Sequence, residues 1–205
     1  MVSGRFLSLF GYLFVLLCAA VQAQVPPTAE AQVRYLHEGI LLVRLPTRQA
    51  SLKALHDRGA HALAEKEAQA QQEANDVLMR AFRDHFQFCP VYFFSSDQSE
   101  RVRQARLHDL VLQGDSSLRL QPQPFLVAEL AQASHVYPPG PTAFHFEALF
   151  LEDHQFRPLT APFPFRVRTF RVRTFRTLFF LHRSPAQAVR LLNERLHKFY
   201  EKSTR

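Results

Sequence analysis

The chain has no tryptophan, six glycines and two cysteines among its 205 residues. Two cysteines exclude a disulfide-dense scaffold. Six scattered glycines leave little room for a phosphate-cradling loop, and no Gly-x-Ser-x-Gly, His-Glu-x-x-His or Cys-x-x-Cys pattern occurs. The common sequence signatures of a nucleophile elbow, a zinc peptidase and a dithiol are therefore missing. What is present is an ordinary globular composition, 47% hydrophobic and 21% charged, which is neither disordered nor collagen-like. The length suits one domain with appendages.

Residues 1–23 read as a secretory signal. Arg5 supplies the positive start, Phe6 to Ala20 the apolar stretch, and Val21-Gln22-Ala23 the small residues before a cleavage point after Ala23. An apolar run of about 15 residues falls short of the roughly 20 needed to span a bilayer. Lipidation at Cys18 is the minor alternative, because Leu17 stands where a small residue is wanted. No later stretch is long and apolar enough to span, so the mature chain is expected to be soluble, in the periplasm or outside the cell. It then carries Cys89 alone, with no internal disulfide to form.

Residues 24–36, with their Pro-Pro step, read as a flexible lead before a single domain over 37–205. The run from Gly39 to Leu45, ended by Pro46, reads as a buried strand. Thr47 is the expected N-cap of a helical hairpin over 47–86, interrupted at Asp57-Arg58-Gly59, with its base on the body and its tip projecting. Phe88 to Phe94 is a second strand, which gives strand, helices, strand and argues for a parallel pair. A short polar helix is expected over 101–106. Further strands are expected over 107–112, 125–130 and 143–151, and a tight turn over 152–156. Ser184-Pro185 opens an amphipathic C-terminal helix with Val189, Leu192, Leu196 and Phe199 inward. The assembly is one α/β domain around a mixed sheet of five or six strands.

Net charge is +7, and its location is narrow. Removing Arg5 from the 25 basic residues leaves 24 against 18 acidic ones, and setting aside Arg166, Arg168, Arg171, Arg173 and Arg176 leaves 19. These five lie in 165–177, where Phe-Arg-Val-Arg-Thr occurs twice in tandem. A five-residue unit reverses strand faces, so one strand cannot hold both copies with Val inward. Extra length from a duplication, extruded or run out along an edge, is the favoured reading over a resetting bulge. The arginines are candidates for binding an anionic glycan or lipid rather than nucleic acid, which an exported protein rarely meets. An edge strand protected by charge explains them without a ligand.

Cys89 is the candidate reactive thiol, although an apolar strand favours a buried, inert cysteine. His145, His154 and His182, with Glu152 or Asp153, could converge on a metal, and Ser134-His135 with Asp153 could form a triad on paper. His56 and His61 are five apart across Gly59. None of these has the paired spacing that announces a site, so no metal and no cofactor are expected.

Three stretches carry a resemblance: Leu42-Val-Arg-Leu-Pro-Thr47 entering an Ala/Glu/Gln-rich helix, Phe86-Gln-Phe-Cys-Pro-Val-Tyr-Phe-Phe94, and Phe163-Pro-Phe-Arg-Val-Arg-Thr169 with the Ser184-Pro185 helix. Together they are similar to exported proteins of Bacteroidota with no assigned function. That resemblance implies a single copy of the arginine segment and no transferable chemistry. The element order also resembles a thioredoxin-like layout without the dithiol, which implies a fold and no redox activity. The functional expectation is a non-enzymatic exported module that binds an envelope component by its hairpin or sheet edge. A Cys89-dependent enzyme and a polyanion binder through 165–177 are the alternatives.

Overall fold

The computed structural model describes residues 25–136, 143–169 and 183–204. The signal segment 1–23, the second arginine copy and His182 lie outside them, as do the side chains of Ser134, His135 and His145.

Helix α1 (Ala29–His37) begins where Thr28 Oγ1 accepts a hydrogen bond from the Ala31 N–H at 3.3 Å. Glu30 in its first turn and Arg34 and His37 in its last complement the helix dipole. The expectation of a flexible lead over 24–36 fails here. Val33 and Leu36, three apart, are fully buried, and Arg34 donates to the Ser203 carbonyl at 2.8 Å. Two well-placed apolar residues and one long-range bond hold a segment whose composition looked solvated.

Strand β1 (Ile40–Leu45) is buried on both faces except at Arg44. Gly39 precedes it because a Cβ there would collide with the Pro124 backbone. Helices α2 (Gln49–Asp57) and α3 (His61–His85) form the expected hairpin. Gly59, at φ +75°, supplies the left-handed residue of its turn. Thr47 does not cap α2: its N–H and hydroxyl bind Ser96 Oγ at 3.0 and 3.1 Å, and Arg48 occupies the N-cap without a side-chain bond. The core uses mainly the second half of α3, through Leu78, Ala81 and Phe82.

Strand β2 (Val91–Ser95) pairs in parallel with β1, from Leu41↔Val91 to Leu45↔Ser95. A 3-10 turn and helix α4 (Ser99–Arg103) follow, the latter shorter and earlier than expected. Residues 107–112 are not a strand. Leu107 and Leu110, three apart, are buried around a 3-10 turn, and only Leu112 makes bridges, to Phe94 and Asp115.

Strand β3 (Phe125–Val136) runs parallel to β1 and antiparallel to β4 (Ala143–Glu152), which pairs with β5 (Arg166–Thr169). The sheet order is β2-β1-β3-β4-β5, a mixed sheet in an α/β body. Helix α5 (Pro185–Ser203) closes the domain behind a reciprocal capping box of Ser184 and Gln187. Its Val189, Leu192 and Leu196 are fully buried.

Strand alternation sorts the core into two faces. Leu41, Val43, Phe93, Leu126, Ala128, Leu149, Leu151 and Val167 meet α1, α3 and α5 on one. Ile40, Leu42, Phe94, Phe125 and Val127 meet Val102, Leu107, Leu110, Leu112 and Leu120 on the other. By the same alternation Arg44, Glu129 and Glu152 belong to the second face.

Candidate functional site

Order β2-β1-β3 places a topological switch point at β1, since the chain leaves β1 towards β2 on one side and returns on the other as β3. The crevice beyond the carboxyl ends of such strands is where open α/β sheets hold ligands. Arg44, next to last in β1, faces that position. Its Nη1 donates to both oxygens of Glu129, at 2.8 and 2.7 Å, and its Nε to Ser99 Oγ at 3.0 Å.

A loop is built to cover this group. Asp153 Oδ1 accepts from the N–H groups of Gln155 and Arg157 at 2.8 and 3.0 Å, and Oδ2 pairs with the Arg157 guanidinium at 2.7 Å. That turn holds Phe156 at φ +59°, where its ring lies 4.9 Å from the guanidinium carbons of both Arg44 and Arg103. Beside it Glu152 is buried, and its Oε2 has no hydrogen-bond partner among the described residues. Burial, reinforced by the Glu129 charge and more weakly by Asp153, pushes its carboxyl up to about 7, although Arg44 pulls the other way. A group so placed exchanges its proton near neutrality. His154 Nδ1 is also buried and unpartnered.

Of the residues singled out in the sequence, Glu152, Asp153 and His154 belong to this cluster; Cys89 and the described arginines of 165–177 do not. Cys89 lies in the bend before β2 rather than in the strand, and is buried. Burial pushes its thiol up to about 12 against a weaker lowering by the Leu41 backbone, so it is protonated at neutral pH. Arg166 and Arg168 stand on the edge strand β5. Their carbonyls, which point away from β4, accept from Arg195 and Arg183 at 3.1 and 3.2 Å. Among the described residues β5 is the outer strand of the sheet, and these guanidinium groups lie along its outward side. Val167 and Thr169 point inward, with Thr169 Oγ1 donating to Glu147 at 3.0 Å. Arg171, Arg173 and Arg176 lie outside the described residues. Among the described residues no three His, Cys, Asp or Glu side chains are grouped to hold a metal, and no helix is long and apolar enough to cross a membrane.

The hairpin carries a second feature. No residue of α2 is buried, yet α2 and the start of α3 form an open cleft of about 400 Å³ lined by Leu52, Ala54, Leu55 and Leu63 together with Arg48, Ser51, Arg58 and Glu67. Leu63 is 47% exposed.

No family model, curated protein or solved structure matches this chain. The geometry therefore has to carry the functional reading. Of its central residues, Arg44 and Glu129 were not picked out from the sequence, and Glu152 only as a metal partner for histidines. The available signal was a charge set inside an otherwise apolar strand, as Arg44 is in Ile-Leu-Leu-Val-Arg-Leu.

Proposed function

We propose that the protein is an exported, non-enzymatic binding module of the cell envelope, and that the α2–α3 hairpin is the arm with which it holds a partner. The observation that carries this is the cleft. A helix with no fully buried residue adds little to the core, yet its half-buried Leu52 and Leu55 line an apolar groove together with the exposed Leu63. Exposed apolar grooves on soluble domains mark sites of association. Arg48 is paired with Glu67 at 3.5 Å, whereas Arg58 makes no ion pair among the described residues. The fitting partner is an amphipathic helical segment that lays its apolar face into the groove and an acidic side chain against Arg58. The Cys89 enzyme has less support, because a protonated, buried thiol is a poor nucleophile.

A photo-crosslinking residue at position 63, introduced in cells that export the protein, tests the reading against the same residue at position 111. The native side chains there, Leu63 and Val111, are 47% and 44% exposed. The expected result is a discrete adduct from position 63 alone, abolished by Leu55→Asp. Adducts from neither position, or equally from both, contradict it. An exported form whose N-terminus is Gln24 checks the localisation.

A further inference from the structure

The turn of the hairpin brings together two histidines that nothing above uses. His56 lies in the last turn of α2 and His61 is the first residue of α3. Between them the chain reverses over three residues. The N–H groups of Gly59 and Ala60 donate to the His56 and Leu55 carbonyls at 2.9 and 3.0 Å, with Gly59 at φ +75°. As a result the two Nδ1 atoms are 3.0 Å apart, with ring centroids 5.3 Å apart and planes inclined at 43°.

We infer that this turn is a two-histidine chelate for a divalent transition metal of the copper(II) or nickel(II) class, with Nδ1 of His56 and Nδ1 of His61 as ligands. Imidazole nitrogens bind at about 2.0–2.1 Å, so neighbouring ligands of a square-planar or octahedral ion lie about 2.9 Å apart, and the hydrogen-bonded rings already hold the two nitrogens near that spacing. Imidazole suits copper, nickel and zinc, and affinity at a given site peaks at copper(II).

Both side chains are exposed, so the rings can turn until their lone pairs aim at one point, and water can complete the shell. The ion replaces the hydrogen bond between the rings, and each imidazole then keeps its proton on Nε2. The helices fix where both ligands start, so little ordering is left for binding to supply. The site is independent of the groove: it needs only the turn and the two imidazoles.

Copper(II) titration of the full chain without a histidine tag, followed by calorimetry and electron paramagnetic resonance, tests the assignment. The expected result is one tight equivalent with two equatorial imidazole nitrogens, and His56→Ala and His61→Ala each weakening it about tenfold or more. His108→Ala, at an exposed histidine paired with Asp109, is expected to leave binding unchanged. The helices should stay folded in all three variants, since His56 and His61 contribute nothing buried. Binding undiminished in the His56→Ala, His61→Ala double variant, loss from only one of the single variants, or a single-nitrogen signature overturns the inference.

Discussion

Arg44 Nη1 donates to both carboxylate oxygens of Glu129 across the junction of β1 and β3, at 2.8 and 2.7 Å. The pair is only partly exposed, with side-chain exposures of 25% and 17%, and Glu152 lies within range of both charges. Removing one partner of a buried pair leaves an uncompensated charge, whereas replacing both can be nearly neutral. Arg44→Met is therefore expected to cost about 2 kcal/mol, below the range for fully buried pairs because water still reaches the guanidinium. Combining it with Glu129→Leu should restore most of that loss. Urea unfolding of the two variants and the parent checks the order.

Glu152 gives the fold a pH dependence of defined sign. Its carboxyl is pushed from an ordinary value near 4.5 to about 7, so between these values the folded chain keeps a proton that the unfolded chain releases. Its contribution to stability is complete below about pH 4.5 and is lost as pH rises through about 7. The shift sets an upper bound of about 3 kcal/mol on that loss. Glu152→Gln keeps the shape and cannot ionise. Relative to the parent, the variant should gain stability between pH 4.5 and 8, as read from unfolding midpoints, and parallel profiles would count against the account.

The Cys89 thiol should resist alkylation in the native state at pH 7.5 and react fully once the chain is unfolded. Its protonation and burial both slow attack, since the thiolate is the reacting form. Rapid modification of the folded protein, followed by mass spectrometry, would revive the thiol chemistry.

Gly39→Ala should destabilise the domain by about 1–3 kcal/mol, the usual cost of forcing atoms into a packed site. The added Cβ meets the Pro124 backbone, whose carbonyl accepts from the Ile40 N–H at 2.9 Å and starts the β1–β3 register. The same substitution at Gly59 meets open space and costs only the strain of its positive φ. Thermal denaturation distinguishes the two.

The elements that could be read from the sequence were those with a strong local pattern. β1 and β4 are apolar runs, α3 has a long stripe ending in Leu78, Ala81 and Phe82, and α5 begins with Ser184-Pro185. Helix α1 is not legible in the sequence because only Ala29, Val33 and Leu36 are buried along it and the preceding prolines suggest a tether. Residues 107–112 looked like a strand because a leucine-rich run six residues long has no period of its own until Leu107 and Leu110 are placed on one turn. The charged cluster joins residues 85 apart in the chain, as Arg44 and Glu129 are, and only strand pairing brings them together. His56 and His61 straddle a turn, so their spacing matched no helical ligand pattern, and it was the positive φ of Gly59 that brought them into contact.

Whether the cleft can be spoiled without spoiling the fold is the most direct test of a binding arm. Leu55→Asp places a charge in the groove on a helix that buries nothing in the body. The account predicts an unfolding free energy within about 1 kcal/mol of the parent, because Leu55 is half-buried in the hairpin and not part of the body's core, together with loss of the adduct formed from position 63. A loss of stability of about 2 kcal/mol or more would make the hairpin part of the core, and an adduct of undiminished yield would place the partner elsewhere; either result contradicts the account.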